Sequence, residues 1–266
     1  MVETFRKARP DAPPGFFATE AAGLRWIAVP GGPRVAEVLD VGPAHLDLTR
    51  VAAARPTPAA ARALGRRLAV MHDAGAPAFG ALPPGADGPG YFGPLDDPLE
   101  LVSGAWDDWP SFYAQARLRP VVTQGRERGV LTGRDADAVE RVCARLPDLA
   151  GAAADEPPAR LHGDLWSGNV LWAAGPDGPG TDGVEAVLVD PAAHGGHREC
   201  DLAMLALFGA PHLDAILAGY ADAHPLAPGW RDRVSLHQLY PLAVHAVLFG
   251  GGYVDATRDL LAALGG

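Results

Sequence analysis

The chain has 266 residues, 48% of them hydrophobic and 20% charged, with a formal net charge of −10. That length buries a substantial core in two lobes or one large α/β unit, and the acidic balance, with no basic stripe interleaved with aromatics, argues against a nucleic-acid partner. No apolar run approaches the roughly 20 residues of a membrane span; the start M-V-E-T-F-R-K-A-R-P lacks the apolar core of a signal peptide, and Cys143 and Cys200 fall outside any C-x-x-C pattern. A cytoplasmic protein with two small core cysteines is expected, without a disulfide framework or a cysteine zinc site.

In chain order, residues 4–7 read as the end of a strand and residues 10–14 as a Pro-rich turn. A helix follows over about 16–28, with Phe17, Leu24 and Ile27 on one side and Glu20 in its early turns. Residues 35–41 and 46–51 read as two further strands that complete a small sheet. Residues 58–74 form a helix with Ala61, Leu64, Leu68 and Met71 on one face, and His72 near its end is expected to pack or cap. Residues 76–104, rich in Pro and Gly, read as a long loop or insertion. Residues 106–119 suit a helix starting near Asp108, and residues 135–146 suit another. Helices over about 202–208, 213–223, 230–249 and 254–264 make the latter half mostly helical.

One compositional fact is sharper than the rest. The chain has 22 Lys plus Arg and a single lysine, Lys7, so the other 22 − 1 = 21 are arginines. Where any cation serves, this sequence uses arginine; a lysine that survives invites a site needing a compact point charge, such as one that holds phosphates.

The stretch that carries the chemistry is Arg160 to Trp172, R-L-H-G-D-L-W-S-G-N-V-L-W, together with V-L-V-D-P at Val187 to Pro191. It places Asp164 and Asn169 on one loop and Asp190 where a β-rich run, residues 184–189, ends. Phosphoryl transfer from a nucleotide asks for this set: a carboxylate to orient and deprotonate a hydroxyl, and an amide and a carboxylate to hold Mg²⁺. Asp164 and Asn169 keep the D-x-x-x-x-N spacing of the protein-kinase catalytic loop, with Gly163 in place of its Arg and D-P-A in place of D-F-G. A plain hairpin built from common turn residues would explain either piece alone, and their order and spacing together favour the kinase reading. Lys7 on a strand and Glu20 on the next helix match the pair that aims a kinase lysine at the α- and β-phosphates. Asp201 reads either as an N-cap or as a structural acid bonding the backbone of the His162-Gly163-Asp164 turn. A metal-dependent hydrolase using His162, Asp164, Asp190, His194 and His197 is the weaker reading, because H-x-x-H at His194 lacks the i, i+4 spacing of a helical zinc site.

With those residues in hand, the chain resembles the fructosamine (ketosamine) kinase family over nearly its whole length. The resemblance rests on F-R-K and F-F-A-T-E-A-A-G-L near the start, W-D-D-W-P-S-F-Y-A-Q-A-R-L-R-P in the middle, L-H-G-D-L-W-S-G-N-V-L-W, and V-D-P-A-A-H-G-G-H-R-E-C-D-L-A-M-L-A-L-F-G followed by L-H-Q-L-Y-P-L-A-V-H-A-V-L-F-G-G-G-Y. It implies an α+β, two-lobed protein-kinase-like fold similar to aminoglycoside phosphotransferases: a small, N-terminally truncated sheet lobe over residues 1–51 and a large, mostly helical C-lobe over 52–266. It also implies ATP- and Mg²⁺-dependent phosphorylation of a sugar hydroxyl on a small-molecule or protein-linked ketosamine, in deglycation repair or metabolism. Carried over by position, Asp164 is the catalytic base, Asn169 and Asp190 are the metal ligands, and Lys7 with Glu20 positions the phosphates. Trp166 and His194 fall on the substrate side, and His162 and Asp201 support the loop. An aminoglycoside- or choline-type small-molecule kinase is the neighbouring alternative on the same fold.

The chain departs from the pattern in carrying six residues before Lys7 and no glycine-rich turn there. The expectations that follow are weak nucleotide binding, a non-catalytic nucleotide-sensing module as a competing reading, and an exposed strand edge near residues 4–7, so that the protein is a monomer or a weak dimer through that edge.

Overall fold

The computed structural model describes residues 3–86, 88–175 and 182–266. Strand β1 (Thr4–Ala8) pairs antiparallel with β4 (His45–Thr49), which pairs with β3 (Val38–Gly42), giving the order β1-β4-β3 with β1 at an edge. In the β1–β4 register Phe5 faces Leu48 and Lys7 faces Leu46. Because side chains alternate along a strand, Phe5 and Lys7 share the face of the two buried leucines, above helix α1 (Phe16–Ile27).

The strand expected over 35–41 is two elements. Val35 is buried, and β2 (Arg34–Val35) leaves the small sheet to pair in parallel with β9 (Val184–Leu188), itself antiparallel to β8 (Val170–Ala174). The Ala36 amide continues this contact by donating to the Leu188 carbonyl at 3.0 Å. As a result the first 51 residues have no core of their own. Phe17, Leu24, Ile27, Leu46 and Leu48 join one apolar cluster with Leu64 and Leu68 of α2 (Pro58–Asp73), Leu188, and Ile216 and Tyr220 of α7 (Leu213–Ala223).

The region expected to be a loop, residues 76–104, carries a short hairpin, β5 (Gly90–Phe92) and β6 (Leu99–Leu101). Phe92, Leu99 and Leu101 are buried there, whereas Glu100 is exposed; a two-residue period only three residues long was hidden among prolines and glycines. Asp87 in this region lies outside the described residues. Helix α3 (Trp109–Phe112) starts where Asp108 accepts the Ser111 amide at 2.8 Å, passes through a π-helical turn, Tyr113–Leu118, and continues as α4 (Arg119–Glu127). Pro120 has no N–H for the Ala116 carbonyl, and the Arg117 guanidinium takes that carbonyl at 2.9 Å. Helix α5 (Gly133–Ala150) opens two residues before the expected start on a Thr132–Asp135 capping box.

Strand β7 (Ala159–Leu161) pairs with β10 (His194–Gly196), and α6 (Glu199–Leu207) leads to α7, α8 (Trp230–Phe249) and α9 (Gly252–Gly265). Helices α8 and α9, with Met204 of α6, close a second apolar cluster around Trp109, Phe112, Leu146 and Val244. No described helix is long and apolar enough to cross a membrane.

Helices α2 and α7 cross in contact because Gly65 meets Gly219's side of the crossing without side chains. A Cβ on Gly65 would lie 1.9 Å from the Ile216 carbonyl oxygen, and one on Gly219 would lie 2.0 Å from that of Arg62. Gly219→Ala must therefore force the helices apart, and overpacking of this kind costs about 1–3 kcal/mol. Calorimetry is expected to show a melting temperature lower by several degrees; an unchanged one would mean that the crossing has slack.

Candidate active site

Leu161 pairs with His194 across the β7–β10 ladder, and the chain then turns sharply at Gly163. Its φ of 83° is left-handed, and a Cβ there would lie 2.1 Å from the Ala192 carbonyl oxygen, so glycine is required on two counts. Beneath the turn Asp201 accepts the His162 amide at 2.8 Å and the Gly163 amide at 3.0 Å, and it also contacts His72 Nε2 at 3.1 Å. Asp201 lies inside the first turn of α6 and does not cap it, since Arg198 holds the N-cap position. Burial pushes the Asp201 carboxyl upward, but His72, His162 and the Gly163 amide outweigh that and hold it below its ordinary value. His162, fully buried, donates from Nε2 to the Val189 carbonyl at 2.9 Å and accepts the Asp164 amide on Nδ1 at 3.3 Å. One imidazole thus ties the loop to the strand that ends at Asp190.

Asn169 closes the loop. Its Nδ2 donates to the Asp164 carbonyl oxygen at 2.8 Å, to Asp164 Oδ2 at 3.1 Å and to the Asp190 carbonyl at 3.4 Å. Those three acceptors fix the amide's orientation and leave Oδ1 unengaged among the described residues. Asp190 sits at φ 53°, a conformation that few non-glycine residues adopt, and its side chain is 43% exposed. Lys7 Nζ lies 2.9 and 2.8 Å from the two Glu20 oxygens and 3.1 Å from Asp190 Oδ1. Burial lowers the Lys7 ammonium, and Glu20 and Asp190 more than offset this, so it is held charged above its ordinary value. Glu20 is pushed up to about 7 by burial, with Lys7 pulling against the shift. Asp164 also rises to about 7, chiefly by burial and then by Asp190 and Asp201, while Asn169 and Lys7 pull it down.

Lys7, Glu20, Asp164, Trp166, Asn169 and Asp190 line one cavity of about 290 Å³. His162 and Asp201 lie behind it, under the loop. His194 lies elsewhere: it is buried, donates from Nδ1 to the Ala192 carbonyl at 2.8 Å, and borders a smaller cavity on the far side of Phe92. The lining of the main cavity also includes residues that the sequence did not single out, Tyr91, His245 and Phe249. Trp166 stands edge-on to Phe208 with centroids 6.1 Å apart, Phe208 is 4.8 Å from His245, and His245 is 5.5 Å from Phe249, a continuous aromatic wall. His245 donates from Nδ1 to the Pro241 carbonyl at 2.7 Å, and burial lowers its pKa, so the ring is neutral, with no partner for Nε2 among the described residues. The i, i+4 spacing of His245 and Phe249 was visible in the sequence, but α8 is apolar on most sides, and nothing in its pattern told which side met the cavity.

Away from this cavity, His197, Glu199 and His237 cluster closely enough to suggest a metal site. The Arg233 guanidinium already holds both Glu199 oxygens at 2.9 and 2.6 Å, and both His197 nitrogens are engaged, by Ala153 O and Glu199 N. A cation there would meet an arginine. Burial, then His237, drives His197 down to about 3. A histidine buried neutral binds fewer protons than the unfolded chain, so its stabilisation is present above the unfolded value of about 6.5 and is lost as pH falls toward 3. Melting temperature is expected to drop from pH 7 to pH 5, less so in His197→Asn; an equal drop in that variant would assign the effect to other groups.

The order of parts, an edge-strand lysine held by the next helix, a D-x-x-x-x-N loop and a strand-terminal aspartate, is that of the protein-kinase-like phosphotransferase fold. A thermostable mutant of the aminoglycoside phosphotransferase APH(4)-Ia, solved with ADP and hygromycin B, shares that fold with a TM-score of 0.55 over 94% of this chain and 82% of its own, at 17% identity. The chain belongs to the fructosamine kinase family, whose model matches residues 2–264. A candidate fructosamine-3-kinase of Thermobifida fusca is 45% identical with a TM-score of 0.86, covering 99% of this chain and 85% of that one. A probable ketoamine kinase of Lactiplantibacillus plantarum is 34% identical over 259 residues, 97% of this chain and 85% of its own length. Against several other curated relatives, each a probable ketoamine kinase, the chain spans about half their length.

Proposed function

We propose that this protein transfers the γ-phosphoryl group of ATP to a sugar hydroxyl of a ketosamine, the product of sugar condensing with an amine. The observation that carries the reading is the convergence of Lys7, Asp164, Asn169 and Asp190 on one cavity that Trp166, His245 and Phe249 also line. Asp164 orients the acceptor hydroxyl and takes its proton as the hydroxyl oxygen bonds to phosphorus and the bond to the ADP oxygen breaks. Lys7, held by Glu20, is placed to meet the α- and β-phosphates. Asn169 Oδ1 and Asp190 offer the hard oxygen donors that suit Mg²⁺, which when bound neutralises charge on the β- and γ-phosphate oxygens. The wall of Trp166, His245 and Phe249 suits a sugar and its amine substituent, through aromatic faces and one neutral acceptor nitrogen.

A base with a pKa of about 7 works only when ionised. The rate at low acceptor concentration is therefore expected to fall below pH 7 with an apparent pKa near that value; a flat profile from pH 5.5 to 8 would remove Asp164 from the role. The assay that tests the proposal supplies Mg·ATP with a panel of free and protein-linked ketosamines and locates the phosphate on the sugar. ATP consumption with aminoglycosides or choline and none with any ketosamine would move the protein to the neighbouring small-molecule kinases.

A further inference from the structure

Among the described residues three arginines are buried, Arg117, Arg198 and Arg233. Two are matched as buried cations need to be: Arg198 holds both Glu156 oxygens at 2.7 Å, and Arg233 holds both oxygens of Glu199. Arg117 is 2% exposed, and no carboxylate among the described residues bonds to it. Its Nη1 is used on the carbonyls of Val102 and Ala116, each at 2.9 Å, and its guanidinium carbon lies 4.6 Å from the Phe112 ring centroid and 5.6 Å from that of Tyr240. Aromatic faces and carbonyls shield the charge. They leave Nε and Nη2 without an acceptor among the described residues, although a guanidinium has five N–H groups to place.

The residue also sits where the helix is irregular. Arg117 falls in the π-helical turn between α3 and α4, a distortion that helices tend to keep where it aims a side chain at a site. What it borders is a cavity of about 30 Å³, walled also by Phe92, Gly163, His194, Cys200 and Tyr240. That space takes roughly one or two groups the size of a water. Asp201 reaches this cavity too, but both of its oxygens are taken by the His162 and Gly163 amides, with His72 beside them. The space therefore has an unmatched positive charge at one side and no acid free to answer it.

We propose that this cavity is a binding site for a small monovalent anion, a halide or a carboxylate head group, held by Arg117 directly behind the catalytic turn. Bound there, the anion takes the unused guanidinium donors and steadies the back of the Gly163–Asp164 turn. Two sources share this chemistry. One is a free anion from solution. The other is a carboxylate on the acceptor itself, since Phe92 lines both this cavity and the main one; in that case, which rests on the kinase reading above, the acceptor is the ketosamine of an amino acid.

The test begins with the full chain and needs no turnover. At constant ionic strength, gluconate, too large to enter, is replaced stepwise by chloride, bromide or formate while thermal unfolding is followed. A saturable rise of roughly 3–6 °C at ten times the dissociation constant is expected, absent in Arg117→Met, and bromide-soaked crystals should show an anomalous peak at the guanidinium. In the second arm the KM of fructosyl-glycine is compared with that of fructosyl-ethylamine. A tenfold or greater advantage for the carboxylate that disappears in Arg117→Met assigns the acceptor as the source; equal KM values with the halide effect intact assign a free anion. No saturable anion effect on the wild-type chain, no bromide peak and no carboxylate advantage together overturn the site. The unfolding and bromide readouts stand whether or not the protein proves to be a ketosamine kinase, and the wild-type series stands even where the variant does not fold.

Discussion

Asp164→Asn is expected to lose turnover by at least roughly 10²–10⁴-fold, the usual worth of a general base, while Mg·ATP affinity and the fold persist. The fold persists because the asparagine amide can keep the contact to Asn169 and remains inside the loop fixed by His162 and Asp201. The variant is even expected to melt higher than the wild type. Burial and the neighbouring carboxylates raise the Asp164 pKa to about 7, so at neutral pH the native loop carries a charge that its surroundings disfavour; a neutral isostere removes that strain, as is common where a site trades stability for function. Calorimetry and ATP titration on the same sample check both halves. Turnover within tenfold of the wild type would assign the proton to another group.

Lys7→Met carries the second large effect. It strips the cation from between Glu20 and Asp190, whose oxygens lie 2.8 and 3.1 Å from Nζ. Removing one partner of a buried pair leaves the other uncompensated, at a cost of about 3–5 kcal/mol when the survivor stays charged. Glu20, already pushed to about 7, escapes much of that cost by taking a proton, so the loss should appear mainly in nucleotide binding, with KM for ATP raised tenfold or more. Lys7→Arg is the more informative partner. A planar fork does not replace a compact ammonium shared by a glutamate on one side and an aspartate on the other, so arginine is expected to rescue little, although the chain uses arginine for its other 21 cationic side chains. Full rescue by arginine would reduce the single lysine to an accident of composition. A Lys7→Met, Glu20→Gln double-mutant cycle should be far from additive in ATP affinity.

How much of this was legible in the sequence depended on whether the signal was local. The D-x-x-x-x-N loop, the strand-terminal Asp190 and the Asp108 helix start are short-range patterns whose residues fold against one another, and they could be read directly. The Lys7–Glu20 contact joins two consecutive elements and was within reach of a known arrangement. The rest needed distant partners. Residues 34–35 pair in parallel with residues 187–188, more than 150 positions away, and no local period announces that. His245 and Phe249 belong to a helix whose apolar residues surround most of its axis, so the side facing the cavity is set by packing against α9 and α6. His194 stands in a conspicuous H-G-G-H run, yet it turns into the interior because β10 pairs with β7 and its Nδ1 finds the Ala192 carbonyl. Arg117 is one of 21 arginines, with no local pattern to single it out, and only its burial without a carboxylate among the described residues sets it apart.

The most direct measurement of the central claim is a single assay on the purified full chain, with Mg·ATP and fructosyl-glycine, followed by phosphorus and carbon NMR of the products. The account predicts one ADP formed for each sugar phosphorylated on a ring hydroxyl, dependence on Mg²⁺, and turnover at least roughly 100-fold lower in Asp164→Asn. ATP bound in the cavity of Lys7 and Asp190 but never consumed, with any ketosamine offered, would contradict it.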